Sequence, residues 1–244
     1  MGNDFDSIGL KDMNDQLDVE WFYNKHIDYV DEFVVNGEKY SILADGEGME
    51  LYFYGDSEKI WFNYCELYYT PKKAMKANGL EWIAPYGDTG INYLQVELTN
   101  LDVPCNVCVP DFYRQNHIKP KDVKEMEIIC FPRYMSVYKT EEEFRARQEN
   151  AMATESLIPC GTFSPSNKPD FEPDSTVLMN GIIQWVEKKQ SCLGGGKFFH
   201  LGVKCLGATF EIVVEESAES EDKLIFRQGA ILSGKFALVG LISK

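Results

Sequence analysis

The chain has 244 residues, 44% of them hydrophobic and 26% charged, a composition that suits one large or two modest packed domains and not a disordered chain. Its net charge of −15 works against generic binding to the phosphate backbone of nucleic acids and against anionic membranes. It has no run of about 18 apolar residues, so no membrane-spanning helix is expected.

The charge is uneven. Residues 1–165 hold 15 Lys/Arg against 29 Asp/Glu, while residues 166–244 hold 9 against 10. Aromatic residues make up 13% of the chain, which favours strands, because flat rings suit a pleated and half-buried surface. The opening MGNDFDSIGLKDMNDQLD is acidic and has no apolar core, so it does not read as a secretory signal. Seven scattered cysteines, an odd number, are then expected to be reduced, in a cytoplasmic protein.

In chain order, residues 1–19 read as a mobile acidic leader. EFVVNGEKYSIL follows, with Asn36-Gly37 between two β-prone runs; both residues tolerate the positive φ that a tight hairpin requires. GMELYFYGD, KIWFNYCELYYT, GINYLQVELTNL and EMEIICFPRYMSVY are strands by the same logic, and TPKKAMKAN reads as one short helix opened by Pro71 and closed by Gly79. The clearest helix runs through KTEEEFRARQENAMATESL to Leu157: Thr140 is an N-cap, Glu143 completes a capping box, and Pro159 ends the segment. Residues 20–158 thus form an acidic, β-rich α+β domain.

Residues 159–175, with prolines at 159, 165, 169 and 173, form a linker or a strap across the surface. From 176 to 244 come β-prone, Gly-punctuated runs. The first is interrupted by Gly181, two alternate strictly, and Gly234 divides the last into two strands. Five strands in about 70 residues resemble a small OB-fold-like closed barrel. An SH3-like barrel or a plain antiparallel sheet would leave similar traces, and SAESEDKL is too short and polar for the helix that usually follows the third OB strand. The fold class is therefore α+β and mostly β.

Candidate chemistry is sparse. Cys105 and Cys108 in VPCNVCVPD could give two thiolates to zinc, with His117 and Cys130 as further ligands, only if the chain turned there. In an extended chain the two residues point to opposite faces, and Val107 and Val109 favour extension, so two partly buried thiols are the expectation and no metal or other cofactor is assigned. GGGKF fails as a phosphate loop because residue 191 is Ser and Phe198 replaces the magnesium-binding hydroxyl; it reads as a hairpin loop. Three histidines and no G-x-S-x-G elbow give no catalytic candidate.

Phe198, His200 and Lys204 share the outward parity of one barrel strand. In OB-like folds such a face binds single strands or sugars; otherwise it packs on the N-terminal domain. The sequence thus points to a cytoplasmic, non-catalytic binding or protein-interaction protein, with neither nucleic acid nor membrane as partner. Two other readings remain open: an acidic inhibitor or immunity-type protein covering a basic partner, and an enzyme with a carboxylate or thiol site assembled from distant residues.

Overall fold

The computed structural model describes residues 5, 7, 10, 16–35, 38–55, 62–83, 92–99, 101–147, 152–162, 173–216 and 225–243. Helix α1 (Gln16–Lys25) leads into an antiparallel meander of β1 (Val30–Val35), β2 (Glu38–Ala44), β3 (Met49–Gly55) and β4 (Phe62–Tyr69). The β1–β2 pairing reaches Val35↔Glu38, as a hairpin across Asn36-Gly37 requires, although those two residues lie outside the described set. Within the stretch 1–19, α1 starts at Gln16 and Leu10 is buried in the core of this layer; most of residues 1–15 lie outside the described set.

The remaining strands form one nine-stranded sheet. They are β5 (Met75–Ile83), β6 (Tyr93–Leu98), β7 (Val103–Cys108), β8 (Glu125–Tyr138), β9 (Ser156–Pro159), β10 (Thr176–Gln190), β11 (Lys197–Cys205), β12 (Ala208–Glu215) and β13 (Ile231–Ile242). Strands from both sides of the Pro-rich segment share this sheet; residues 163–172 of that segment lie outside the described set.

Part of the sheet closes on itself. β10 pairs antiparallel with β11, and β11 with β12; β12 runs parallel to β8 at Glu211↔Ile129 and Ile212↔Cys130. β8 pairs antiparallel with β13 from Ile231↔Tyr138 to Ile242↔Met126, and β13 returns to β10. Gly181 sits where β10 changes partner from β13 to β11; a Cβ there would lie 2.6 Å from the Lys204 carbonyl oxygen. The expected break at Gly234 is absent: β13 is one strand, and the glycine admits the Tyr134 carbonyl oxygen, 2.3 Å from where a Cβ would stand. Residues 176–243 therefore supply four strands of the ring, and the fifth, β8, comes from upstream.

Two local expectations change. TPKKAMKAN is not a helix: from Met75 the chain is β5, held by pairing to β6 and β8, and Gly79 is needed because the Pro120 carbonyl oxygen comes within 2.2 Å of its Cβ position. The helix expected to reach Leu157 is only α3 (Glu141–Ala146); Leu157 lies in β9, opposite Met179 of β10, so strand pairing overrides the loose helical period. The short helix α2 (Phe112–Gln115) follows β7.

Each face of the large sheet carries its own core. Met126, Ile128 and Cys130 of β8 enter the first, together with Leu201, Val203, Phe210, Ile212 and Phe236. Ile129 and Phe131 enter the second, where they meet Tyr40, Tyr52, Tyr54 and Tyr68 of the meander. The alternating parity of one strand thus binds both layers together.

Candidate functional site

The structure separates the three outward residues of β11. Phe198 and His200 are buried, packed edge-on beneath Tyr69 of β4 with ring centroids 5.4 and 5.1 Å away. Trp185 of β10 meets His200 edge-on at 4.9 Å. Lys204 is exposed at the far end of the strand, its Nζ 3.3 Å from Glu155 Oε1. This face of β11 is therefore covered by the meander at Phe198 and His200.

Beneath that cover lies a close histidine–carboxylate contact that the sequence did not single out. His200 Nε2 is 2.7 Å from Glu211 Oε2, with the residues 2% and 5% exposed. The contact is close but not aligned as a hydrogen bond, and Nδ1 has no partner among the described residues. Glu211 also accepts the backbone N–H groups of Lys72 and Lys73, at 2.9 and 3.2 Å. One carboxylate on β12 thereby fixes the turn between β4 and β5. Gly202 makes room for Trp185, whose Nε1 lies 2.1 Å from where a Cβ would stand, and Lys72 Nζ sits 3.8 Å above the indole while also pairing with Glu187. The available signal for Glu211 was a carboxylate at the same parity as apolar Val213 in a strand otherwise made for burial.

The cysteines do not converge. β7 is extended, as Val107 and Val109 suggested, with Cys105 in the first core and Cys108 in the second, on opposite faces. Cys130 joins Cys105 in the first core, and His117 is exposed. Burial pushes the Cys105 thiol up to about 12. Among the described residues no group of three or more His, Cys, Asp or Glu side chains is placed to hold a metal ion. GGGKF lies in the β10–β11 hairpin loop, where Ser191 N–H donates to the Gly196 carbonyl at 2.9 Å.

A second surface stands out by charge. Residues 1–70 hold 16 Asp/Glu against 4 Lys/Arg, a net −12, whereas residues 71–244 hold 23 against 20, a net −3. Within this acidic layer β1 is an edge strand, with no described strand on its outer side. Trp21, Tyr29 and Val34 are 63%, 70% and 72% exposed, and Asp28, Asp31 and Glu32 are exposed among them. Lys39 holds the Glu32 carboxyl below the usual carboxylate range, through a contact of 2.6 Å.

The underside of β1 is anchored. Phe33 stacks on Tyr40, the Arg114 guanidinium lies 5.0 Å from the Phe33 ring, and Asp111 binds Arg114 through both carboxylate oxygens, at 2.7 to 3.0 Å, while accepting the Tyr40 hydroxyl at 2.9 Å. The edge is thus presented by a rigid support. No family model, no curated protein and no solved structure matches the chain.

Proposed function

We propose that this is a non-catalytic interaction protein whose acidic N-terminal layer engages a cationic segment of a partner protein along the outer edge of β1. One observation carries the reading: a net −12 in the first 70 residues coincides with exposed Trp21, Tyr29 and Val34 beside a strand with no described strand on its outer side. Aromatic side chains give contact area, acidic groups steer a cationic partner, and an open edge offers backbone pairing. A second copy of the chain is a poor occupant, because each would bring the same negative charge.

The ring order β10-β11-β12-β8-β13 supports the OB-like reading, with β8 standing for a fifth C-terminal strand. Fold does not fix function. The β11 positions considered for stacking, Phe198 and His200, lie under Tyr69, which favours the interaction reading over a nucleic-acid one. A cytoplasmic setting fits the free cysteines, Cys192 being exposed among them.

The test uses an alternating Lys-Val peptide of about eight residues, near the length of a long strand. It should bind, weaken with salt, and perturb the amides of Val30–Val35. A peptide of equal charge with prolines at alternate positions should not bind, and Asp28→Lys with Asp31→Lys should abolish binding. Equal binding of the two peptides, or perturbations elsewhere, would overturn the proposal.

A further inference from the structure

We infer that a cleft beside the Glu211 clamp is a binding site for a small phosphate monoester with a compact apolar body. The cleft has a volume of about 400 Å³ and opens where the β4–β5 turn crosses the start of β12. That volume lies at the small end of the range for small-molecule sites. Met75, Leu98 and Ala208 supply apolar wall; Lys73, Lys76, Thr99 and Thr209 supply polar groups.

The argument rests on which charges are already used. The chain has 39 Asp/Glu against 24 Lys/Arg, so an acidic neighbour for any lysine is easily found. Around the cleft, Lys72 pairs with Glu187, Lys189 with Glu187 and Lys204 with Glu155. Lys73 and Lys76 form no ion pair among the described residues, although Glu125 stands opposite Lys76 in the β5–β8 register. Glu211, which also lines the cleft, forms no ion pair with either lysine; its oxygens accept two backbone N–H groups and face His200.

Two lysines outside any ion pair among the described residues, with two threonines, then line one cleft with an apolar wall, and Lys76 and Thr99 also line the neighbouring cleft that holds Glu125. A phosphate monoester offers close to two negative charges and three terminal oxygens, whereas a carboxylate offers one charge and two oxygens. The number of free donors matches the former. The Thr99 backbone N–H donates to the Lys76 carbonyl at 3.2 Å, so the hydroxyl and the ammonium are carried on one bonded pair of segments. This site is separate from the β1 edge and does not depend on the function proposed there.

The probes are phenyl phosphate, benzoate and benzyl alcohol, titrated calorimetrically into the intact protein at low salt. Phenyl phosphate should bind and shift the amide resonances of Thr99 and Thr209, benzoate should bind more weakly, and benzyl alcohol should not bind. Lys73→Ala and Lys76→Ala should each weaken phenyl phosphate by about tenfold or more, the cost of one charged hydrogen bond. Lys121→Ala, outside the cleft, should change nothing. Both cleft lysines are exposed, so unchanged melting will show that the variants fold. Absence of phenyl phosphate binding, equal binding of benzoate, or indifference to both lysine substitutions would each overturn the assignment.

Discussion

The meander and the closed ring are built from the same kind of strand but by opposite routes. In the meander each strand pairs with the next along the chain, β1 to β2 to β3 to β4, so its order is its sequence order. In the ring β8 pairs with β12 and β13, and Glu127 and Leu241 stand opposite each other although they are far apart in the chain. The meander uses tyrosines, several with their hydroxyls spent on carboxylates: Tyr40 on Asp111, Tyr68 on Glu127 and Tyr52 on Glu50. The ring core uses aliphatic residues, phenylalanines and thiols. Sequential pairing closes short loops at little entropic cost, whereas the ring must close long ones and recovers that cost only when β8 is seated.

That difference explains what could be read from the residues. The hairpin around Asn36-Gly37, the β3 and β4 runs, the alternation in β11 and β12 and the cap at Thr140 are local patterns, and each is present. The fifth ring strand was misassigned because EMEIICFPRYMSVY reads as a strand without stating its partners. β5 was missed because lysines and Gly79 look helical until Pro120 is seen pressing on that glycine. Phe198 and His200 were singled out by parity, but Glu211 and the turn at Lys72 and Lys73, which complete their surroundings, come from other elements and carry no local signature. Cys105 and Cys108 lie on opposite faces, as parity alone predicts for an extended chain.

The largest expected effect comes from removing β8 from the ring. A fragment of residues 176–244 keeps β10 to β13 but exposes the edges of β12 and β13, together with the apolar positions that β8 covers. It should aggregate or remain unfolded on its own, and a fragment of residues 1–162 mixed with it should restore a dispersed amide spectrum. A soluble monomeric fragment melting as high as the whole chain would show that the ring does not need β8.

Alkaline pH should dismantle both regions. Burial pushes the Cys105 and Cys205 thiols in the first core, and the Tyr69 phenol in the meander, up to about 12. In the unfolded chain these groups ionise near about 8.5 for thiols and about 10 for phenols. Above those values the unfolded state sheds protons that the folded state retains, so stability is intact below about pH 8.5 and falls as pH rises toward about 12. Tyrosinate absorbance and loss of near-ultraviolet dichroism should coincide in one transition. Exposed Cys192 should be alkylated in the native protein well before buried Cys105, Cys130 and Cys205.

Glu211→Ala tests the clamp between the regions. It strands the Lys72 and Lys73 N–H groups and removes the carboxylate that faces buried His200, so a loss of roughly 2–4 kcal/mol is expected by chemical denaturation. Glu211→Gln, which keeps an acceptor, should lose less. Gly202→Ala should cost about 1–3 kcal/mol by displacing Trp185, and Trp185→Leu in the same chain should recover part of that loss. Additive losses would place the Gly202 effect somewhere other than the indole.

The smallest effect belongs to α3, which joins the Tyr138 end of β8 to the segment leading into β9. It has six residues, too few to persist alone, so its ends and its one buried side chain must hold it. Thr140 Oγ1 accepts the Glu143 N–H at 3.2 Å, and Glu143 returns the favour one residue earlier, accepting the Lys139 N–H at 2.8 Å. Phe144 is fully buried, with its ring edge-on to Tyr138 at 5.3 Å. Thr140→Ala should therefore cost about 1 kcal/mol, with faster amide exchange confined to residues 141–147. Thr140→Ser, which keeps the acceptor, should cost less. Wild-type exchange in Thr140→Ala would mean that Phe144 packing alone fixes the helix, and that its cap contributes nothing to seating the end of β8.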